Sequence, residues 1–172
     1  MRIAYTIAPG RGDTDLLLAG IAQSLEAKGF RTCGTVQINS SCDGDGPCDM
    51  DVKVLPEGPV IRISQSLGKG ARGCRLDAGA LESSIALSEA QLAKADVLIV
   101  NKFGKQEASG RGFRGLIGDA LASDLPVLVG LNTLNKDAFL EFTCDEAVAL
   151  KADSATLMDW LFSELAADQS VA

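Results

Sequence analysis

Residues 3–30 read IAYTIAPGRGDTDLLLAGIAQSLEAKGF. The opening residues are apolar enough for a strand buried on both faces. Gly10 and Gly12 make a turn, and Asp13 and Thr14 are suited to cap the helix that follows. Leu17, Ile21 and Leu25 fall on one side of that helix, and Gly29 suits its C-terminal stop. A strand, a glycine-rich turn and a helix in this order is how many nucleotide-binding domains begin. Where such a domain sets a lysine against phosphate, this chain has Asp13.

Outward from that stretch, strands and helices alternate. RTCGTVQI at 31–38 reads as a second strand. DVKVL and VIRIS flank PEGP and predict an edge β-hairpin. A helix is expected over 77–95, with Leu81, Ile85 and Leu92 inward. DVLIVN at 96–101 is a buried strand, and KFGKQEASGRG at 102–112 a charged loop. FRGLIGDALAS predicts a helix, PVLVGL a strand, KDAFLEF a short helix and EAVAL a short strand. Residues 154–167, with Leu157, Trp160, Leu161 and Leu165, form a closing helix, and 168–172 are expected to fray. Residues 39–50 and 65–75 are rich in glycine and polar residues and read as loops. The expected architecture is one α/β domain over 1–167, an α/β/α sandwich of three layers with a mostly parallel sheet and a small β-hairpin insertion. Ligands of such sheets sit beyond the carboxyl ends of the strands. Loops 8–14, 39–50 and 101–112 leave strands at that edge.

Composition narrows the function. A net charge of −7 with no basic block argues against nucleic acid as a partner. Apolar runs such as VLIV are too short to span a bilayer, and the N-terminus enters a strand directly, so neither a membrane nor a secretory signal is expected. A cytoplasmic address follows. The chain has no histidine, which removes Ser-His-Asp and Cys-His nucleophile systems.

Three groups of residues carry chemistry. The first is Gly10, Arg11, Gly12, Asp13 and Thr14. Against the phosphate-loop pattern G-x-x-x-x-G-K-[ST], Gly12 and Thr14 fit, while Ile7 takes the first glycine position and Asp13 the lysine position. A carboxylate about 4 Å from a phosphate charge costs roughly 4 kcal/mol at an effective dielectric of 20, where lysine gains a similar amount. The plain alternative is a tight turn with acidic caps. The second group is VLIVNKFGKQEASGRGF, 97–113. Asn101 ends the strand where a phosphate-loop enzyme holds Mg²⁺ through an acid. Glu107 is the nearest carboxylate downstream and can activate a water. Lys102, Lys105 and Arg111 can stabilise anionic charge, and Gly104, Gly110 and Gly112 let backbone approach a ligand. The alternative is a solvated charged loop. The third group is Cys42, Cys48 and Cys74, which with Asp43 or Asp49 can hold zinc or another soft metal. Arg72 or Arg75 and a helix N-terminus favour the Cys74 thiolate. No CxxC pair is present, and unligated thiols are the alternative. Cys33 and Cys144 read as packing residues.

CDMDVKVLPEG, ISQSLGKGARGCRLD, LIVNKFGKQEASGRGFR and LPVLVGLN, in that order, resemble the bacterial family catalogued as domain of unknown function 2478. That family is similar to the small phosphate-loop nucleoside-triphosphatases, which implies a phosphate-loop fold. Their corresponding block has an acidic pair before Gly-Lys and then an acidic residue. Here Gly104, Lys105 and Glu107 remain, and Asn101 and Lys102 replace the pair. Members of the family are associated with molybdenum or tungsten transport genes, so the resemblance adds molybdate and tungstate to the candidate ligands. Three functions follow. The first is an accessory protein binding a nucleotide or a tetrahedral oxyanion, the amides of Gly10 to Thr14 donating and Lys102, Lys105 and Arg111 supplying charge. The second is a rewired nucleoside-triphosphatase in which Thr14 contacts Mg²⁺, Arg11 replaces the lysine and Glu107 orients water. The third is the cysteine-based metal or thiol site. Oligomeric state is not legible.

Overall fold

A computed structural model describes residues 1–39, 49–65 and 75–169. Among the described residues, seven strands form one sheet: β1 (Ile3–Thr6), β2 (Thr32–Asn39), β3 (Met50–Val54), β4 (Val60–Arg62), β5 (Val97–Phe103), β6 (Val127–Leu131) and β7 (Val148–Leu150). Six α-helices among the described residues connect or flank them: α1 (Asp13–Ala27), α2 (Ala78–Leu92), α3 (Lys105–Ala108), α4 (Arg114–Ala122), α5 (Lys136–Phe142) and α6 (Ser154–Gln169). The strand order is β4-β3-β2-β5-β6-β1-β7. β2, β5, β6, β1 and β7 run parallel, and the β3–β4 hairpin is antiparallel at one edge.

The central strands lack polar alternation because both faces are covered. Val97 to Val100 and Val127 to Val129 are fully buried. On one face, α1 and α6 bring Leu18, Ile21, Leu25, Leu157 and Leu161 onto Ala4, Ile99 and Leu128. On the other, α2, α4 and α5 bring Leu81, Leu116, Ile117 and Phe139 onto Tyr5, Leu98, Val100 and Phe103. Each large aliphatic side chain buried in this way contributes about 1.5–3 kcal/mol. The result is the three-layer phosphate-loop-type α/β fold with its edge hairpin. Among the described residues, no helix is long and apolar enough to cross a membrane.

Some boundaries differ from expectation for local reasons. The N-cap of α1 is Gly12, in the left-handed region at φ 84°, and no side chain caps the helix. Thr14 does not cap: its Oγ1 accepts the Ala8 N–H at 3.1 Å, bracing the turn from inside. Leu18 joins Ile21 and Leu25 in the core, whereas Leu17 is half-buried. Gly29 does stop α1, at φ 86° with its N–H on the Glu26 carbonyl. Asp77 caps α2 by accepting from the Ala80 N–H at 3.0 Å. The charged loop after β5 contains the single turn α3, because Glu107 and Gly104 close a local ring. Of the expected fray at 168–172, residues 168 and 169 end α6, and 170–172 lie outside the described residues.

Two glycines mark where backbones come too close for a Cβ. A Cβ on Gly34, at φ 101°, would lie 2.0 Å from the Ile99 carbonyl oxygen. One on Gly130 would lie 2.1 Å from the Asn101 carbonyl oxygen, beside the register shift between β5 and β6. The Gly34 carbonyl accepts from the Leu55 N–H and the Ser88 hydroxyl, joining β2 to the hairpin and to α2. Beside it, the Cys33 thiol lies against the Ser88 carbonyl, and burial pushes its pKa up to about 11. At the amino edge, Arg31 donates its backbone N–H and its guanidinium to Asp96, and Asp96 returns its N–H to the Arg31 carbonyl. The Arg31 guanidinium, followed by the Arg31 N–H, holds the Asp96 carboxyl below its ordinary value.

Gly34→Ala should cost about 3 kcal/mol and lower Tm by roughly 6–12 °C, since backbone rather than a side chain must yield. Gly20→Ala in α1, where an added Cβ meets nothing within 4 Å, should be neutral or stabilising by up to about 1 kcal/mol. Equal melting points for the two variants would contradict the packing described. The lowered Asp96 pKa means its contribution is present at neutral pH and lost as pH falls through the carboxylate range. Asp96→Asn should therefore be less stable than the parent at pH 7, with the gap closing in acid.

Candidate functional site

A cavity of about 900 Å³ opens at the carboxyl edge of the sheet. Small-molecule sites have this size and this place in open α/β folds. One wall is the β1–α1 turn, with Ile7, Pro9, Gly10, Arg11, Gly12, Thr14 and Asp15. Asn101 and Lys102, from the end of β5, form the floor with Leu131, which ends β6, and Asn132 and Thr133, which follow it. The hairpin side contributes Gln37, Asp49, Met50 and Arg75.

The turn is shaped for close approach. The N–H groups of Gly10, Arg11, Gly12, Thr14 and Asp15 have no partner among the described residues, and a helix N-terminus favours an anion at such groups. Asp13, exposed, is folded onto the turn and does not line the cavity. A Cβ on Gly10 would lie 2.0 Å from its Oδ2, so glycine is what admits the carboxylate there. Arg11 and Lys102 are exposed at the cavity and form no ion pair with any described residue.

Asn101 is the joint of the site. It is 5% exposed. Its Oδ1 accepts the Gln37 N–H at 2.9 Å, and its Nδ2 donates to Asp15 Oδ1 at 2.9 Å. One neutral side chain thus ties β5 to β2 and to the first turn of α1. Across the cavity, Asp49 pairs with Arg62 at 2.9 Å and with Arg75 at 3.2 Å, and Ser64 donates to it at 3.2 Å. This network holds the hairpin against the mouth.

Residues 3–160 match the model of a family described as protein of unknown function (DUF2478). The chain belongs to that family. A curated relative, molybdenum import ATP-binding protein ModC 2 of Bradyrhizobium diazoefficiens, is 36% identical over 162 residues, 92% of this chain and 18% of that protein. The DUF2478 chain thus spans under a fifth of that relative. Among solved structures, a human cancer-related nucleoside triphosphatase has a similar fold, with a TM-score of 0.62 and 19% identity over 99% of this chain and 98% of that one.

In this DUF2478 protein the expected site residues divide. Gly10, Arg11, Gly12, Thr14, Asn101 and Lys102 line one cavity. Asp13, Gly104, Lys105, Glu107 and Arg111 are outside the lining. Glu107, the expected water-orienting carboxylate, is 4% exposed. Its Oε2 accepts the Gly104 N–H at 2.8 Å and its Oε1 the Phe113 N–H at 3.0 Å. A Cβ on Gly112 would lie 2.1 Å from Oε1, so Gly112, at φ 58°, makes room for this carboxylate rather than for a ligand. Lys105 and Arg111 are exposed on the same loop. Cys42, Cys48 and Cys74, with Asp43 and Arg72, lie outside the described residues, and among the described residues no metal-binding cluster of His, Cys, Asp or Glu occurs. Asp15, Gln37, Arg75, Asn132 and Thr133 were not expected to share one site. The loop after β6 leaves the same carboxyl edge as the others, and that geometric signal points to Asn132 and Thr133.

Glu107→Gln keeps one acceptor and turns an amide NH₂ toward the other backbone N–H. It should cost about 1–3 kcal/mol in urea unfolding. Exposed Lys105→Ala should stay within about 0.5 kcal/mol of the parent. A silent Glu107→Gln would remove the bracing role.

Proposed function

We propose that this protein is an anion-binding accessory protein on a phosphate-loop scaffold, taking a nucleotide or a tetrahedral oxyanion in the cavity between the β1–α1 turn and the end of β5. One observation carries this assignment. The unpaired cations Arg11 and Lys102 and the open amides of the 10–15 turn line a single cavity. The amides supply hydrogen bonds at fixed positions, and the two cations supply charge that is in no ion pair with a described carboxylate. Lys105 and Arg111, outside the lining, contribute through the field around the mouth.

Three features favour binding over hydrolysis. Asp13 stands in the lysine position, Asn101 stands where a metal-holding acid is required, and Glu107 is committed to backbone amides. The name of the relative, a molybdenum import ATP-binding protein, supports a link to molybdate or tungstate handling and places ATP among the ligands to try.

Thermal unfolding with ATP, GTP, molybdate and tungstate tests the assignment. A ligand at about 100 times its Kd should stabilise by roughly 2.7 kcal/mol, or about 5–11 °C for a domain of this size. Lys102→Ala and Arg11→Ala should each lose most of that shift while keeping the parent melting point without ligand. Phosphate release from ATP or GTP by the parent, abolished by either substitution, would instead establish the hydrolase.

A further inference from the structure

The cavity's charge and its engaged oxygen atoms narrow the ligand further. Among the described residues, its lining holds three cations, Arg11, Arg75 and Lys102, against two carboxylates, Asp15 and Asp49, leaving one positive charge. Asp49 is already shared by Arg62 and Arg75. A tetrahedral phosphate or comparable dianion brings about −2 and suits this balance. A triphosphate brings more, and a phosphate-loop site offsets the excess with a divalent cation.

The groups that would hold such a cation are turned to other partners. Thr14 Oγ1 faces the Ala8 N–H at 3.1 Å. Asn101, almost fully buried, presents an uncharged amide whose oxygen accepts from Gln37 and whose nitrogen donates to Asp15. The donated bond occupies Asp15 Oδ1, the one lining carboxylate beside the β1–α1 turn. An aspartate at 101 would put two carboxylates in contact there, an arrangement that calls for a metal. Asparagine gives the same shape without the charge.

We propose that the cavity selects a tetrahedral dianion bound without a divalent cation, and that Asn101 is the residue that sets this choice. The proposal rests on the anion-binding reading above. The shared chemistry is a compact XO₄²⁻ or monophosphate head, free or esterified. The cavity is much larger than a bare oxyanion, so both sources belong in the test.

Isothermal titration of the full chain with molybdate, phosphate, AMP, GMP and ATP, each in EDTA and in MgCl₂, separates the possibilities. The expected result is a dianion binding equally in EDTA and Mg²⁺, and at least about tenfold tighter than ATP. Molybdate or phosphate ahead of AMP and GMP identifies a free oxyanion, and the reverse order identifies a monoester. Asn101→Asp should weaken metal-free dianion binding by about tenfold to a hundredfold, through one added negative charge beside the ligand. The same variant should gain a thermal shift with Mg²⁺ or Ca²⁺ alone that the parent lacks. Tightest binding by Mg·ATP overturns this proposal and leaves the anion-binding reading standing. Binding of none of the five ligands removes both. Should Asn101→Asp fail to fold, the comparison of EDTA with Mg²⁺ on the parent decides metal-free binding. Asn101→Ser, which adds no charge, should keep the dianion preference, and loss of that preference in Asn101→Ser would remove the role of charge at this position.

Discussion

Strand β5 is clamped between β2 and β6 with no space to spare, and the carboxyl edge of the sheet takes its shape from that clamp. On one side the Ile99 carbonyl reaches Gly34, and on the other the Asn101 carbonyl reaches Gly130. Both contacts are backbone against backbone, so no rotamer change relieves them. The register shift at the second contact carries the strand past its last regular pair with its neighbour. Asn101 and Lys102 leave that shift at the floor of the cavity. Their positions therefore follow from the least compressible part of the core.

Much of the fold was written in the apolar pattern. Continuous runs such as VLIV and VLVGL require cover on both faces, and alternation with helical segments implies a parallel sheet with crossovers. The hairpin was equally plain, because PEGP interrupts two β-rich segments. Boundaries were harder. The start of α1 depends on whether Thr14 turns outward as a cap or inward onto Ala8, and both choices satisfy the same local pattern. The single turn of α3 was hidden because its stability comes from one buried carboxylate and not from an apolar stripe.

The site divides along the same line. The shared placement of Gly10, Arg11, Gly12 and Thr14 with Asn101 and Lys102 was legible because the rule that ligands sit at the carboxyl edge needs only strand positions, whereas Asp13 turns away from the lining. That Glu107, Lys105 and Arg111 stand outside the cavity lining was not legible, because sequence polarity does not say which way a side chain faces. An acid that satisfies two backbone amides reads the same as one that meets solvent. Arg75 and Asp49 depend on how the hairpin folds back toward the mouth, a long-range contact with no local signature. In the sequence Asn101 stands out only as a missing acid. Its role as a joint between two strands and a helix emerges only when Gln37 and Asp15 are found beside it.

Cys33 gives the molecule an internal reporter. Its sulfur is sealed between β2 and α2 and, with a pKa near 11, stays protonated at ordinary pH. Cys144, in contrast, is exposed beside the end of α5. A thiol-directed reagent therefore meets Cys144 on the native surface and reaches Cys33 only when α2 lifts from the sheet. Labelling at Cys33 thus clocks the opening of one specific layer of the sandwich.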